Sequence, residues 1–480
     1  MSVFSDYLTN CVNHHVEATG QSKNDLIGAC QVNRSTFFQC LRGDRLPTRE
    51  LLRTFLTLLE IPESEKRELK RLFYVEQIGW DSYQSHRSVV SSLEAFAAFS
   101  QMPVTPPDPS LTAPERWGRE TTVYGRENVL RAELELIRRE LSRDEPCIDL
   151  FLTPENRPFF EALKTLYRQC GRKTIRLRQL VQLPRDKEGK EQESMALLRF
   201  SSFFLLSGCD GYEAYYYYAD TNYPKTLGVL YPYSVVTGEG VLFINEALDA
   251  CLLSRLPHVQ KVCRKQFQEN LKKVRPFFTV DSGYRQMAKL LNNWEGEKLR
   301  SFQFSTLASF GAYLSGGLMG RLIKKYCSKE QRGTLQQFYR DLSQKTDCIS
   351  FCTERGILSF ARTGRLPGVA EKEALYLEPG ERKELLEALR RRAVQKNKLY
   401  LIDEGKLPIS DQFTVTVFDG VCVQLQSRGG GRRKEYQFFE RNLVERFTSF
   451  FQDMTTEPFQ AERERLDQIL RQAIDMCETE

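Results

Sequence analysis

Apolar residues in the first 80 positions recur at helical spacing, and the pattern changes to alternating strand and helix signals further on. Phe4, Leu8, Cys11, Val12 and His15 form one stripe of a first helix. A second helix is capped by Ser22, with Asp25 at its third position, and buries Leu26, Ile27 and Cys30. Asn33 caps a third, Gly43 stops it, and Val32, Phe37, Cys40 and Leu41 fall on its inner side. At about ten residues that helix is too short to stand alone, so neighbours must hold it. Thr48–Ile61 and Glu63–Gly79 are two further amphipathic segments. Residues 1–80 therefore read as an all-helical domain.

A connector follows over 81–144. It holds a helical stretch at Ser91–Ser100, a proline-rich linker at 101–116 and a helix at 125–143. Leu130, Leu134, Ile137 and Leu141 are spaced like a coiled-coil seam, which makes 125–143 a candidate dimerisation helix. The alternative is a helix lying on the domain that follows. From Cys147 the chain reads CIDLFLT as a strand, FFEALKTLYRQCG as a helix and KTIRLRQLVQL as a strand. A helical MALLRFSSFFLLSG, a strand YEAYYYYAD, a hairpin within LGVLYPYSVVTGEGVLFIN and the helix PHVQKVCRKQFQENLKKV complete an α/β domain over 145–278. Residues 279–480 are mixed α+β. Helices are expected in SKEQRGTLQQFYRDLSQK and EPGERKELLEALRRRAVQK, then strands in KLYLIDE, QFTVTVFDG and VCVQLQSR, and two helices at the end. Both parts place a Phe-containing helix after a hairpin, VLFIN to KQFQENL and YQFFERNLVERFTSFF, but identity between them is too thin to establish a repeat.

The third helix sets Arg34, Ser35, Phe38, Gln39 and Arg42 on the side it does not bury. Gln31–Asn33 separate it from the second helix, the spacing of a helix-turn-helix pair. The run V-N-R-S-T-F-F-Q-C-L-R-G-D-R-L-P, Val32 to Pro47, resembles the helix-turn-helix of the Xre family, the Cro and lambdoid-repressor class of bacterial regulators. The resemblance covers residues 4 to about 60. It implies base-reading positions at Arg34, Ser35 and Gln39 with Phe38 beside them, and a phosphate contact at Lys23. Gln31 stands where such domains usually carry glycine, and Leu41 where they usually carry glutamate. The chemistry agrees: arginine can chelate the guanine edge, glutamine the adenine edge, and phenylalanine can meet a thymine methyl. Arg42 and Arg45 continue the basic side into the loop. Between residues 20 and 53, six bases face three acids, a local net charge of +3 that the rest of the first 80 residues cancels. The phosphates would meet a patch, not a basic domain.

Over the whole chain of 480 residues the formal net charge is only +6, which excludes a generally polycationic protein. No apolar run is long enough for a bilayer, and the first residues lack the charged and apolar regions of a signal peptide. A cytoplasmic protein is expected, without membrane contact. Thirteen cysteines with no CxxC pair fit a reducing compartment, and Cys348 and Cys352 would lie one turn apart if helical. The four histidines, His14, His15, His86 and His258, stand in no catalytic motif, and there is no G-x-S-x-G. The α/β part faintly resembles a phospholipase-D-like or other sensor fold, yet lacks the His-x-Lys pair that chemistry needs. GGGRR at 429–433 lacks the Lys-Ser/Thr of a phosphate loop. No catalytic residue, metal or cofactor is expected. The tyrosines of 212–233 are the main oddity, with Tyr216 and Tyr218 on one side of a strand as candidate ligand-binding residues. The competing account is an ordinary sheet with cross-strand aromatic pairs.

The expectation is a multidomain chain: an all-α helix-turn-helix N-terminal domain, then an α/β and mixed α+β C-terminal region. Its expected function is sequence-specific transcriptional regulation, as a homodimer on double-stranded operator DNA, with a small-molecule or peptide effector bound by 145–480. The layout of the C-terminal region also resembles long uncharacterised Xre regulators of Firmicutes. An enzyme or an interaction scaffold carrying a targeting helix-turn-helix is the alternative.

Overall fold

The computed structural model describes residues 2–98, 118–154, 156–171, 174–184, 192–219, 230–281, 285–310, 316–367, 374–391, 396, 398–427, 434–455 and 463–477. The proline-rich stretch 101–116 and the glycine run 429–431 lie outside them. The chain divides into two compact units, Met1–Arg87 and Ser88–Glu480.

The first unit holds α1 (Val3–Thr19), α2 (Lys23–Ala29), α3 (Arg34–Arg42), α4 (Arg49–Leu58), α5 (Glu63–Ile78) and the start of α6 (Trp80–Ala98). Ser2, Ser22, Asn33 and Thr48 each accept a backbone N–H at the start of their helices. Such caps satisfy donors a helix cannot pair internally, and each stabilises by about 1 kcal/mol. The stripes meet as the spacing predicts: Phe4, Leu8, Leu26, Phe37, Phe55 and Leu69 are buried in one core. His15 belongs to it. Its Nδ1 accepts from the Glu60 N–H at 3.0 Å, so its Nε2 carries the proton and donates to Gln21 Oε1 at 3.3 Å. Helix α6 begins at Trp80, eleven residues before the apolar pattern announces it. The unit boundary falls within it, and Val89, Val90, Leu93 and Phe96 enter the core of the second unit.

The second unit begins β1 (Glu120–Tyr124), α7 (Arg126–Leu141), β2 (Cys147–Phe151), α8 (Arg157–Cys170), β3 (Arg176–Pro184), α9 (Gln192–Leu206) and β4 (Tyr212–Ala219). It continues with the meander β5 (Tyr233–Val236), β6 (Val241–Ile244) and β7 (Ala250–Ser254), then α10 (Pro257–Leu271) and β8 (Arg275–Pro276). The next stretch carries β9 (Phe278–Asp281), α11 (Arg285–Asn292), β10 (Leu299–Phe304), α12 (Gly316–Tyr326), α13 (Lys329–Lys345) and β11 (Thr346–Cys352). After it come α14 (Glu354–Thr363), a ribbon of β12 (Arg365–Pro367) and β13 (Ala374–Tyr376), α15 (Pro379–Leu389) and β14 (Leu399–Leu401). The chain ends on the meander β15 (Phe413–Phe418), β16 (Cys422–Ser427) and β17 (Lys434–Phe438), followed by α16 (Arg441–Met454) and α17 (Arg463–Met476).

The two large sheets share one plan. One has the order β1-β7-β6-β5-β2-β3-β4-β8; the other, read from its far edge, is β9-β17-β16-β15-β10-β11-β14. In each, three parallel strands adjoin an antiparallel meander, and the strand that opens the half closes the outer edge. Seven positions agree in order and direction, so the unit is an internal duplication of topology. The extra strand β8 is the link: Arg275 pairs with Tyr216 on the first sheet, and four residues on from Phe277, Asp281 pairs with Glu435 on the second. One core runs through both halves, from Leu150 and Tyr212 in the first to Phe302, Val415 and Phe451 in the second.

One expectation changes and two open readings are decided. The division at 278/279 falls inside a single unit, because the link strand and the shared core join what it separates. The candidate dimerisation helix is α7, and its seam is spent internally: Leu134, Ile137 and Leu141 are buried and Leu130 packs against the same core. Val129, Ala132 and Leu136 are buried with them, an apolar face wider than a coiled-coil seam and fitted to a sheet. Cys348 and Cys352 lie on strand β11, not on a helix, and both thiols are buried.

Candidate nucleic-acid interface

Helix α3 shows how a nine-residue segment can carry an outward polar face. Phe37, Cys40 and Leu41 anchor its inner side. Asn33 Oδ1 accepts from the Thr36 N–H at 2.7 Å, and Thr9 Oγ1 donates to Leu41 O at 2.9 Å, so both ends are fixed. At the far end Gly43 has φ +79°, and a Cβ there would lie 2.7 Å from Ser5 Oγ. Only glycine meets both the left-handed backbone and the close approach of α1. The turn between α2 and α3 contains Gln31 at φ 54°, a left-handed residue that is not glycine. An L side chain costs about 1–2 kcal/mol there. The backbone thus adopts, with glutamine, a conformation that suits glycine.

Arg34, Ser35 and Arg42 are exposed on α3, while Phe38 and Gln39 are half-buried. Phe38 does not stand free: its ring meets Phe37 edge-on at 5.7 Å, and the Arg34 guanidinium lies 5.7 Å from its centre. That contact pre-orients Arg34 at modest energy, about 0.5–1 kcal/mol at an exposed site. Arg42 Nε donates to Asp44 Oδ2 at 3.0 Å, and both residues are well exposed. A surface pair of this kind contributes roughly 0–1 kcal/mol, so a competing anion displaces it cheaply. Arg45 is exposed in the loop after Gly43. Lys23 opens α2, whose Ser22/Asp25 capping box is complete, and is half-exposed. Hydrogen bonds from the Ser22 hydroxyl and backbone N–H hold the Asp25 carboxyl below its usual range. The spacing argument missed Thr36, half-buried on α3, and Asp44, which Arg42 engages. A carboxylate two residues after an arginine was the available signal for the second.

The tyrosine strand has a different character. Tyr216 is 3% exposed and packs edge-on against Tyr218 at 5.4 Å and Phe277 at 6.1 Å, inside the shared core. Tyr218 donates to Glu440, a buried carboxylate that also accepts from the N–H groups of Asn442 and Leu443 at the start of α16. Burial, then the bond to Glu440, raises the Tyr218 pKa. The opposite side carries Tyr215, donating to Glu213, and Tyr217, donating to Gln182. The alternation expected of a strand is present, and the Tyr216–Tyr218 side faces the second half of the unit.

No protein-family model matches the chain, and no curated protein does. Among solved structures, one similar chain is the archaeal chromatin protein TrmBL2, described as showing a novel mode of DNA binding. It has 13% sequence identity and a TM-score of 0.24, covers 34% of this chain, and is itself spanned over 55% of its length. Another is a mutant of the yeast tyrosyl-DNA phosphodiesterase, at 8% identity and a TM-score of 0.21, covering 68% of this chain and 91% of that one. Likeness at this level assigns neither fold nor function. No helix among the described residues is long and apolar enough to cross a membrane.

Proposed function

We propose that the chain is a cytoplasmic, sequence-specific DNA-binding transcriptional regulator of the Xre type, with α2 and α3 as its helix-turn-helix. Helix α3 enters the major groove; Arg34, Ser35 and Gln39 read base edges, and Lys23, Arg42 and Arg45 hold phosphates. The observation that carries this reading is the joint placement on α3: an anchored inner face, an outer face of arginine, serine and glutamine, and a left-handed residue in the turn that precedes it. A single short reading helix contacts few bases, so the functional form is a homodimer on two half-sites about 34 Å apart. Its response to an effector resides in Ser88–Glu480.

Selection of binding sites from random duplexes tests this reading. The wild type yields a two-fold symmetric motif. Arg34→Ala and Gln39→Ala each relax the preference at one position per half-site, at a cost of about 1–3 kcal/mol against the correct base. Lys23→Ala weakens all sequences alike and lowers the salt dependence, because phosphates carry no sequence code. Unchanged preferences in the Arg34 and Gln39 variants would remove the assignment.

A further inference from the structure

The duplicated sheets each have a point where strand order reverses, between the first parallel strand and the meander. In open α/β sheets the crevice at the carboxyl ends of the strands at such a point is where ligands bind. In the second half this point lies at β10, which is parallel to β11 on one side and antiparallel to β15, the first strand of the meander, on the other. A cleft of about 430 Å³ opens there, lined among others by Thr306, Arg355, Ser359, Arg362, Arg365 and Asp411. The volume falls within the range of small-molecule sites.

Its floor is built, not incidental. Thr353 donates to Thr306 O through both its N–H, at 3.1 Å, and its hydroxyl, at 3.2 Å. The same hydroxyl accepts the Gly356 N–H at 3.0 Å. Helix α14 is thereby drawn so close that a Cβ on Gly356 would lie 1.8 Å from Thr306 O. Phe310 and Phe360, with ring centres 4.9 Å apart, back the site.

The charges around it do not balance. Arg355 is engaged by Glu404 at 3.2 Å and Asp411 at 3.5 Å. Arg362 and Arg365 are exposed, line the same cleft, and meet no carboxylate among the described residues. Two planar guanidinium groups that meet no carboxylate among the described residues, beside the hydroxyls of Thr306 and Ser359, match a doubly charged oxyanion. We infer that this cleft binds a small phosphorylated metabolite, its phosphate held by Arg362 and Arg365 and its polar body by Thr306, Ser359 and Asp411. This names the effector class of the proposed regulator, and that role rests on the DNA-binding reading; the binding itself does not.

Calorimetric titration of the full chain without DNA tests the site, with glycerol 3-phosphate, inorganic phosphate and glycerol as probes. Saturable millimolar binding is expected for glycerol 3-phosphate, weaker binding for inorganic phosphate, and none for glycerol. The double variant Arg362→Gln/Arg365→Gln loses it, with thermal unfolding confirming the fold. Lys261→Gln/Lys265→Gln, which removes the same charge from the exposed side of α10, retains it. Absence of saturable binding, or equal loss in both double variants, overturns the site and leaves the DNA selection result standing. Failure of that selection with a positive titration removes the regulatory role and leaves the site.

Discussion

Gln31 and Glu133 are each placed where their residue type is disfavoured, and each turns that placement into a measurable effect. Gln31 holds φ at 54° in the turn before α3. The left-handed penalty of about 1–2 kcal/mol for an L residue exceeds the entropy that glycine loses on folding, about 0.5–1 kcal/mol. Gln31→Gly is therefore expected to stabilise the chain by up to about 1 kcal/mol in urea unfolding and to leave DNA preference intact. A destabilised variant would mean the turn relies on the glutamine side chain. That the position wants glycine was legible only through the family resemblance; periodicity carries no information about the sign of φ. Phe38 shows the converse limit. The pattern set it outside, and the structure tucks it against Phe37 beneath Arg34, because an aromatic at the edge of a small core still finds a ring to pack on.

At the scale of elements, α7 was legible as a helix with two open roles, a coiled-coil seam or a helix lying on the domain that follows, and its buried face decides for the second. Counting only Leu130, Leu134, Ile137 and Leu141 produces a seam; counting every buried position produces a face for a sheet. That face includes Glu133, 1% exposed, whose Oε1 accepts from Asn156 Nδ2 at 3.0 Å. Burial pushes its pKa well above 4.5, more than the Asn156 bond lowers it. A raised carboxyl pKa means the folded state holds a proton that the unfolded state releases. The stability at this site is thus full below about pH 4.5 and lost as pH rises through the folded pKa. Glu133→Gln keeps the acceptor and removes the titration. It should melt above the wild type at pH 8 and lose that advantage near pH 4, read as the difference between the two proteins. His86 contributes the opposite slope: burial lowers its pKa to about 4, so its contribution falls away as pH drops from about 6.5. Taking the difference cancels it. An advantage that grows towards low pH would show that Glu133 is charged in the folded state. Strands β1 and β9 escaped sequence reading because they are short edges of five and four residues, where alternation has no room to repeat.

The whole second unit was harder to read than its parts. Most strands of its first half could be placed from alternation, and a common plan of hairpin and helix was visible in both halves. What alternation cannot supply is which strands are neighbours. The duplication appears only in that order, and the cleft of Arg355, Arg362 and Arg365 only where the order reverses, which is why no motif announced it. Topology also decides how the unit should unfold. The link segment Arg275–Asp281 pairs with both sheets, through β8 and then β9, Phe277 is fully buried and donates its N–H to Ala214 O at 2.8 Å, and Tyr436 Oη reaches Leu205 O at 3.0 Å. Helix α16, which follows the second meander, packs on its own sheet and on α9 from the first half. Its Phe451 is fully buried, with ring centres 5.5 Å from Phe351, 6.0 Å from Phe304 and 6.1 Å from Phe302. Phe451→Ala removes that anchor at a cost of about 3–5 kcal/mol. If the halves are one cooperative body, urea unfolding monitored by hydrogen exchange will show amides of β2 and β3 losing protection together with those of β10 and β11. If the halves are independent domains as the sequence suggested, only the second set will weaken. The shared core gives the first half no surface on which to remain folded alone, so the joint loss is the expected result.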